Sequence, residues 1–251
     1  MIALAGHRLT KSYGGLMALR GVDLEVEDAA CHVIVGPNGA GKTTLFHLLS
    51  GVAPPTTGRI FLNGEDVTAL ADHVRARRGL ARTFQVSSLF RKLTVEQNVL
   101  LSVQPAHSPF AMHRPATGFD AAMGRVEEVL AEGGLSAKRA VQARFLSHGE
   151  QRQLEVMLAL ASQPRVVLLD EPTAGLSEAE RTSMTAFLRR LRGSVTIVLV
   201  SHDVDVAFAL ADRVTVLHLG EVLLEGTPAE VRADDRVASI YLGAEPERAH
   251  A

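Results

Sequence analysis

Three glycines, a lysine and two threonines stand between an apolar run and a helix-like apolar segment in IVGPNGAGKTTLF, residues 34–46. Within this segment Gly36, Gly41, Lys42 and Thr43 fit the spacing G-x-x-x-x-G-K-[ST]. In that pattern backbone N–H groups surround phosphates, the lysine reaches the β- and γ-phosphates, and the hydroxyl holds magnesium. Glycine allows the positive φ and the close backbone approach that such a loop needs. The segment therefore predicts a nucleotide phosphate-binding loop.

Two adjacent carboxylates end a second apolar run, VVLLDEP at residues 166–172. A carboxylate at the tip of a central strand, here Asp170, can hold magnesium beside the phosphate loop. The alternative for Asp170 is a turn acid at a strand end. Its neighbour Glu171 can polarise an attacking water, as general-base catalysis of phosphate cleavage requires.

Composition limits the classes of protein to consider. A chain of 251 residues with 47% hydrophobic residues can form one large domain or a core with a subdomain. Its net charge of −2 gives no basic footprint for nucleic acid, although arginines cluster at residues 75–82. The single cysteine, Cys31, cannot form an internal disulfide, and we expect it to be a small buried residue in a reducing cytosol.

Membrane insertion and secretion are not expected from the apolar segments. Runs such as VTIVLV at residues 195–200 fall well short of the roughly 18 residues that a membrane-spanning helix needs. The first residues lack a basic region followed by an apolar stretch of sufficient length for a signal peptide. A role at a membrane would therefore require a separate partner.

The coarse secondary structure places the phosphate loop between a strand and a helix, as its motif requires. Residues 1–30 alternate like strands around the turn YGGL, CHVIVG indicates a strand, and the helix after the loop stops at Gly51. PPTTGRIFLNGEDV adds a short strand and an Asn-Gly turn. After residue 164, short β-branched runs alternate with helical segments, which is typical of a parallel sheet covered on both faces.

The region from about residue 86 to 163 has a helical pattern. Capping-box spacings at Thr94, Ser147 and Ser177 predict helix starts near residues 95, 148 and 178. Residues 104–124 are rich in Pro, Ala and Gly and predict a mobile surface excursion of unknown role. The predicted fold is an α/β P-loop nucleotide-binding core, a parallel sheet with flanking helices and an N-terminal antiparallel β part, into which a helical subdomain is inserted.

Three segments together resemble the ATP-binding subunit of ABC transporters: LSHGEQRQLE at 146–155, LLDEPTAG at 168–175 and VLVSHD at 198–203. The resemblance covers nearly the whole chain. It implies an ATPase that couples ATP hydrolysis to transmembrane transport, with ATP and magnesium as cofactors. It also implies a single ABC ATPase domain over residues 1–243, with core segments 1–85 and 164–243, a helical subdomain at about 86–163, and a short tail at 244–251.

The resemblance assigns roles to individual residues. Glu171, His202 and Gln85 correspond to catalytic positions, Thr43, Gln85 and Asp170 to magnesium ligands, and Tyr13 to the aromatic residue that stacks on adenine. Residues that correspond to further ATP-binding positions are Gly36, Pro37, Asn38, Gly39, Ala40, Gly41, Lys42, Thr43 and Thr44 of the loop, and Ser147, Gly149 and Gln151 of the signature segment. In the family, the signature segment contacts the γ-phosphate of ATP held by the opposite subunit, so each site needs two subunits.

Simpler roles remain open for several of these residues. Ser147 and Glu150 can merely cap a helix, Gln85 and His202 can be polar residues that end strands, and Tyr13 can belong to the core. The signature segment also departs from the commonest family form, because His148 and Glu150 replace a glycine and a glutamine.

A third departure follows the magnesium strand, where Ser177 occupies a position that is often aspartate. The resemblance therefore assigns this residue no contact with a second subunit. The phosphate loop, Asp170, Glu171 and His202 match the family pattern, which is evidence against an inactive relative.

Two further segments, residues 79–100 and 225–243, resemble the ATPase subunits of branched-chain and related hydrophobic amino-acid importers. This resemblance implies permease subunits in the membrane, a second ATPase subunit (more readily a heterodimer than a homodimer) and, indirectly, a periplasmic or extracellular binding protein. It places the chain at the cytoplasmic face of the inner or plasma membrane, held there by the permease. Residues 86–93 are the expected docking surface, with Leu89 and Phe90 as an exposed patch or, equally, as ordinary core residues.

Other functions stay open at this point. The lipopolysaccharide-export ATPase is similar in the same segments. A soluble ABC ATPase acting on DNA or ribosomes would usually carry coiled-coil insertions or a second cassette, and the sequence shows neither heptad runs nor a second glycine loop. A small-molecule P-loop kinase would need an acceptor-binding domain, which is not evident.

Overall fold

The computed structural model describes residues 1–83, 89–103 and 116–242, and it shows two β-sheets with helices packed around them. The predicted α/β class is confirmed. The larger sheet carries the phosphate loop and has six strands in the order β10-β9-β3-β8-β7-β6. Its strands are β3 (Cys31–Val35), β6 (Leu80–Arg82), β7 (Val166–Asp170), β8 (Thr196–Val200), β9 (Arg213–His218) and β10 (Glu221–Gly226).

Strands β3 and β6 to β9 of this sheet are parallel, as the apolar runs predict, but the edge strand β10 is antiparallel to β9. The parallel sheet predicted for this part of the chain therefore carries one antiparallel strand, at this edge. Only two residues separate β9 from β10. A connection that short can join only antiparallel neighbours, because parallel strands need a crossover of a dozen or more residues.

Both faces of the central strands are buried, which explains their continuous apolar sequence. Along β7, Val167 and Leu169 belong to one hydrophobic cluster, whereas Val166 and Leu168 belong to another. The first cluster contains most of the buried residues from the helices, and the second contains those from the N-terminal sheet and the helix after the phosphate loop. The sheet thus separates two cores and presents its carboxyl ends at one edge, where ligands bind in open α/β sheets.

The smaller sheet is antiparallel, as predicted for the N-terminal part, with the order β2-β1-β4-β5. Its strands are β1 (Ile2–Tyr13), β2 (Leu16–Glu27), β4 (Thr57–Leu62) and β5 (Glu65–Asp66). The predicted Asn-Gly turn joins β4 to β5, and Asn63 and Gly64 both have positive φ there. The β1–β2 hairpin brings Tyr13, at its tip, beside the phosphate loop.

Nine α-helices lie in the part of the chain that the structure describes. They are α1 (Lys42–Ser50), α2 (Asp72–Arg77), α3 (Val95–Val103), α4 (Ala116–Glu132), α5 (His148–Ala161), α6 (Glu178–Leu191), α7 (Val204–Leu210), α8 (Pro228–Ala233) and α9 (Asp235–Leu242). The helix starts predicted near residues 95, 148 and 178 are confirmed. Their capping boxes form as expected at Thr94, Ser147 and Ser177.

The predicted mobile excursion at residues 104–124 is wrong at its C-terminal end, because residues 116–124 form the first half of α4. Residues 104–115 lie outside the described residues. The prediction failed because Gly118 and Gly124 disfavour a helix by propensity. Val126 and Leu130 further along α4 are fully buried, and packing of such an apolar face supplies most of a helix's stability.

One member of the local cluster of arginines does not contribute to an exposed basic patch. Arg75 is fully buried and donates hydrogen bonds to the carbonyls of Leu48 and Leu49, at distances of 2.8 and 2.7 Å. A cation at the C-terminal end of α1 satisfies carbonyls that have no partner within the helix. The arginine therefore stabilises the helix that follows the phosphate loop.

The structure also tests the predictions for Cys31 and for the pair Leu89 and Phe90. Cys31 is buried as predicted, and burial raises the pKa of its thiol to about 12. Leu89 is buried while Phe90 is exposed, so the predicted exposed patch is wrong for Leu89. Residues 86–88 of that predicted surface lie outside the described residues.

Among the residues described, no helix is long and apolar enough to cross a membrane.

Candidate nucleotide-binding site

The phosphate loop joins β3 to α1 and has a backbone that only glycine can adopt at two positions. Gly36 has φ of 152°, and a Cβ placed there would lie 2.2 Å from the carbonyl oxygen of Leu217. Gly41 has φ of 103° and precedes α1 without a side-chain cap. Amides of the first turn of α1, beginning at Lys42, therefore have no capping side chain to accept their hydrogen bonds. Such a helix N-terminus binds anions through free N–H groups and the helix dipole.

Lys42 lies across the loop. Its Nζ donates hydrogen bonds to the carbonyl oxygens of Gly36 at 2.6 Å and Pro37 at 2.9 Å. Burial lowers the pKa of Lys42, and the nearby charges of Glu171 and Asp170 act in the opposite direction. Carbonyls are weaker partners for an ammonium group than phosphate oxygens are. The lysine can therefore exchange these partners for a phosphate that enters the loop.

A cleft of about 740 Å³ opens beside the loop. Nine of the predicted site residues line it, namely Tyr13, Asn38, Gly39, Ala40, Gly41, Lys42, Thr43, Thr44 and His202. Tyr13 is half-exposed, so the alternative of a core position does not hold for it. Sequence reasoning missed several other wall residues, among them Leu16, Met17, Arg20 and Leu219. No local motif marks these residues, because the cleft forms only when β2 and the β9–β10 turn pack against the loop.

Glu171 and His202 form a close pair beside this cleft, with Glu171 Oε1 and His202 Nε2 separated by 2.6 Å. Glu171 follows β7 and has φ of 48°, which is uncommon for a residue other than glycine. Its N–H donates to the carbonyl of Val200 at 2.9 Å, which ties this unusual backbone to β8. Strained residues held by their surroundings are frequent at functional sites. The arrangement places a carboxylate and an imidazole together near Lys42.

Asp170 ends β7 and is almost fully buried. Neither of its carboxylate oxygens accepts a hydrogen bond from the described residues, and burial is the main reason that the pKa of Asp170 is raised. A buried carboxylate whose oxygens accept no hydrogen bond can bind a metal cation in addition to the Arg82 guanidinium that lies near it. Magnesium commonly binds through one or two carboxylates together with substrate phosphates, so Asp170 and the Thr43 hydroxyl fit a magnesium site.

No group of three or more His, Cys, Asp or Glu side chains able to hold a metal occurs within the described ranges. The third predicted magnesium ligand, Gln85, lies outside the described residues.

Arg82 is a charged neighbour of Asp170 that sequence reasoning missed. Its Nη2 lies 3.6 Å from Asp170 Oδ2, and its Nη1 donates to Ser50 Oγ at 2.9 Å. The guanidinium also lies 5.1 Å from the centre of the Phe46 ring. These contacts fix a positive charge beside the buried carboxylate. The sequence places Arg82 far from Asp170, so only the pairing of β6 with β7 shows this contact.

The signature segment begins α5 and has a different environment. Ser147 is the N-cap, its Oγ accepts from the N–H of Glu150, and its own N–H donates to Glu150 Oε2 at 3.0 Å. The N–H of Gly149 donates to Glu180 Oε1 at 2.8 Å. Gln151 Nε2 donates to the carbonyl of Leu146 at 3.0 Å. The N–H groups of Ser147, Gly149 and Glu150 thus already have acceptors within the chain.

Glu180, in the first turn of α6, holds the start of α5 and was also missed. It is the N3 residue of the Ser177 capping box, and it accepts from Gly149 as well. The hydrogen bond from the Gly149 N–H is the largest cause that lowers the pKa of Glu180 to about 2. A Cβ on residue 149 would lie 2.8 Å from the Glu180 side chain. Glycine at this position is therefore required by close packing.

The structure does not bring the signature segment to the cleft. None of Ser147, Gly149 and Gln151 is among the described residues that line it. The chain therefore carries two separate parts of the predicted site: a phosphate-binding part with Glu171 and His202, and a capped helix start.

Family models match most of this sequence. A model described as "ABC transporter" matches residues 19–174, and one described as "Branched-chain amino acid ATP-binding cassette transporter" matches residues 221–247. The chain is 36% identical to the high-affinity branched-chain amino acid transport ATP-binding protein BraF of Pseudomonas aeruginosa, over 94% of this chain and 95% of that protein. It is also 36% identical to the lipopolysaccharide export system ATP-binding protein LptB of Acidithiobacillus ferridurans, over 96% of each.

Solved structures give the same result for the fold. The ADP conformation of MJ1267, an ATP-binding cassette of an ABC transporter, matches with a TM-score of 0.84 and 26% identity, covering 97% of this chain and 99% of that one. A dimeric post-hydrolysis state of the cassette MJ0796, bound to ADP and Pi, matches with a TM-score of 0.73 and 27% identity, covering 90% of this chain and 98% of that one.

Proposed function

The chain belongs to the ABC transporter family of ATP-binding subunits, which hydrolyse ATP, and we propose that it drives amino-acid import by closing with a second ATPase subunit around two ATP molecules. Each ATP would lie between the phosphate loop of one subunit and the signature segment, Ser147 and Gly149, of the other. The observation that carries this proposal is the separation of the two parts of the site in one chain, because the signature segment does not line its own cleft. A dimer of related cassettes exists for MJ0796.

Within one half-site, the described residues supply most of the expected chemistry. The N-terminus of α1 and Lys42 would bind the β- and γ-phosphates by exchanging the loop carbonyls for phosphate oxygens. Tyr13, which lines the same cleft, would stack on the adenine. Glu171 would accept a proton from the attacking water, while His202, at 2.6 Å from it, would orient that carboxylate and contact the γ-phosphate.

Asp170, Thr43 and Gln85 would hold a magnesium ion, which supplies positive charge to the phosphates when it is bound. Asp170 is suited to this because its buried oxygens accept no hydrogen bond from the described residues. Arg82 keeps this carboxylate in place through the 3.6 Å contact between Nη2 and Oδ2.

Closure would couple ATP to movement because ATP binds the closed pair of subunits more tightly than the open pair. Only such a difference in affinity can shift a conformational equilibrium. Ser147 and Gly149 would add to binding only in the closed state, since a second subunit presents them. Hydrolysis removes the γ-phosphate contact and lets the pair reopen.

The match of residues 221–247 to a branched-chain amino acid family and the similarity to BraF support import of branched-chain or related amino acids as the transport function. On this proposal, the partners are permease subunits, a second ATPase subunit of the same or a different kind and, through the permease, a periplasmic or extracellular binding protein. The chain would work at the cytoplasmic face of the membrane. Phe90, which is exposed, would contact the permease.

We further propose that residues 1–85 and 164–243 form the ATPase core and that about 86–163 form a helical subdomain. Helices α3 and α5 and the main part of α4 pack on one another within this range, which supports the division. A subdomain of this kind could turn the signature segment towards or away from the partner's cleft.

The catalytic role of Glu171 has a direct test. Glu171→Gln keeps the size of the side chain and one acceptor oxygen but removes the charge that accepts a proton. We expect ATP binding to persist, an ATP-dependent dimer to accumulate in light scattering, and turnover to fall by roughly 100-fold or more, as for loss of a general base. Unimpaired hydrolysis in this variant would remove the assignment of Glu171.

The transport function is tested in a strain that lacks this gene. Uptake of labelled leucine should be lost, should return with the wild-type gene, and should not return with Lys42→Ala. Normal leucine uptake together with depleted lipopolysaccharide at the outer membrane would overturn amino-acid import in favour of lipid export, which the similarity to LptB keeps as the alternative.

A further inference from the structure

Two hairpin loops of this chain share one backbone shape but differ in sequence. The β4–β5 loop is Asn63-Gly64, between the paired residues Leu62 and Glu65. The β9–β10 loop is Leu219-Gly220, between the paired residues His218 and Glu221. The φ angles are 51° and 82° in the first loop and 48° and 85° in the second. Positive φ at both residues of a two-residue loop indicates a type I′ turn, for which Asn-Gly is a preferred sequence.

Leucine is a poor residue for the first position of such a turn. The left-handed conformation brings Cβ close to the backbone, and asparagine tolerates it far better than an apolar side chain does. Burial does not compensate for this cost at Leu219, because 68% of the residue is exposed. Residues that break a local rule without a gain in the folded protein often mark functional sites.

The turn is fixed in place by the nucleotide-binding elements around it. The Gly220 N–H donates to the carbonyl of Ala40 in the phosphate loop at 3.0 Å, and the Gly220 carbonyl accepts from the Arg20 N–H in β2 at 2.8 Å. A Cβ on residue 220 would lie 2.8 Å from the carbonyl oxygen of Ala18. The position of Leu219 at the wall of the cleft is therefore set by the phosphate loop itself.

Exposed apolar side chains are concentrated at this cleft. Ten large hydrophobic residues are exposed in the part of the chain that the structure describes, and four of them line the cleft: Tyr13, Leu16, Met17 and Leu219. Concentrated exposed apolar surface usually marks a binding site. Lys42 and the N-terminus of α1 attract phosphate, so the apolar residues fit the part of a nucleotide that has flat apolar faces, which is its base.

We propose that Leu219 is a nucleotide-contacting residue, whose side chain packs on the base of a bound nucleotide and so offsets the strain of its turn. This inference rests on the proposed function, because it requires that a nucleoside triphosphate binds in this cleft. It adds a base contact from the β9–β10 turn to the stacking expected of Tyr13.

The test exchanges the residues of the two matched turns. In the full-length protein, Leu219→Asn removes the apolar side chain and installs the residue that the turn prefers. We expect the melting temperature without nucleotide to rise by roughly 2 to 4 °C, from relief of the left-handed leucine. We expect ATP affinity, measured calorimetrically, to fall about fivefold, the effect of withdrawing one apolar side chain from a ligand.

Two probes and two control variants separate a base contact from a general effect. Binding of inorganic tripolyphosphate, which has no base, should be the same in wild type and Leu219→Asn. Leu219→Met should keep ATP affinity within about twofold, because its side chain has a similar apolar surface. Asn63→Leu should lower the melting temperature and leave ATP affinity unchanged.

ATP affinity equal in Leu219→Asn and wild type would overturn the base contact, as would an equal loss of affinity for tripolyphosphate. Lys42→Ala distinguishes this result from failure of the proposed function. If Lys42→Ala binds ATP less tightly while Leu219→Asn does not, only the inference about Leu219 fails. If Lys42→Ala binds ATP as wild type does, the nucleotide site itself is misplaced.

Discussion

Two helices of this chain are expected to present their N-termini to the phosphates of ATP, and the two ends differ. Helix α1 begins after Gly41, without a side-chain cap. Helix α5 begins after Ser147, in a complete capping box with Glu150, and its Gly149 N–H is held by Glu180. The first end has amides without a capping side chain, whereas at the second end the Gly149 N–H is already held by Glu180 and the Glu150 N–H by Ser147.

This difference indicates when each end acts. An uncapped helix start with a lysine beside it can bind phosphate in the isolated subunit. A capped start binds an anion weakly unless the anion is a better hydrogen-bond acceptor for the helix amides than Glu150 and Glu180 are. The comparison therefore predicts that α1 determines ATP affinity and that α5 affects turnover, once a second subunit has joined.

Loss of the lysine beside the start of α1 should have the strongest consequence. Lys42→Ala removes the ammonium group that lies over the loop, and we expect ATP affinity to fall by roughly 100-fold, as for loss of charge-assisted hydrogen bonds. Calorimetric titration of the purified chain measures this. An unchanged dissociation constant would contradict the claim that α1 determines ATP affinity, because the end of α1 would then not be the binding element.

A negative charge placed at the capped start of α5 tests whether a phosphate approaches Ser147. Aspartate and asparagine both cap helices well, so Ser147→Asp and Ser147→Asn should keep α5 intact. We expect the Asp variant to bind ATP as wild type does but to lose turnover about 30-fold or more, from repulsion between two anions. The Asn variant should retain most turnover. Equal turnover in the two variants would show that no phosphate approaches Ser147.

Packing behind the capped end gives a smaller effect, on stability. Gly149→Ala places a Cβ 2.8 Å from the Glu180 side chain and breaks the hydrogen bond between the Gly149 N–H and Glu180. We expect a loss of about 1 to 3 kcal/mol in the free energy of unfolding, measured with urea. Combining it with Glu180→Ala should relieve the clash, so that the double variant loses less than the sum of the two single losses. Strict additivity would contradict this contact.

The smallest effect is that of the cap alone. Ser147→Ala should cost about 1 kcal/mol of unfolding free energy, the usual value for loss of an N-cap. Thr227→Ala is a matched control, since Thr227 and Glu230 form the same capping box at α8. Similar stability losses are expected for both, with a loss of turnover only for Ser147→Ala. A loss of turnover in both variants would mean that lower stability, and not the position of Ser147 in the site, explains the loss of turnover.

The start of α1 is easier to predict from the sequence than the surroundings of the start of α5. The spacing of Gly36, Gly41 and Lys42 is local and specific, so the loop and the start of α1 at Lys42 could be predicted. The capping spacing of Ser147 also gave the correct helix start. The hydrogen bond from Gly149 to Glu180 joins residues 31 positions apart and depends on how α5 packs on α6. No local pattern could show that the Gly149 N–H is already occupied.

Other differences between prediction and structure have the same cause. The contact of Arg82 with Asp170 arises from strand pairing, and the burial of Arg75 arises from its position at the end of α1. Helix α4 forms despite its glycines because Val126 and Leu130 pack into the core. Propensity and spacing describe neighbours along the chain, whereas these features depend on neighbours in space. The assignment of Gln85 stays a prediction.

The most direct test of the two-subunit site mixes two inactive proteins. Lys42→Ala has a defective phosphate loop and an intact signature segment, and Ser147→Asp has the reverse. Each alone should hydrolyse ATP very slowly. Mixed in equal amounts, they should recover turnover that increases with protein concentration, because one composite site in each mixed dimer is intact. Full turnover by the Ser147→Asp protein alone, as a monomer at any concentration, would contradict the account.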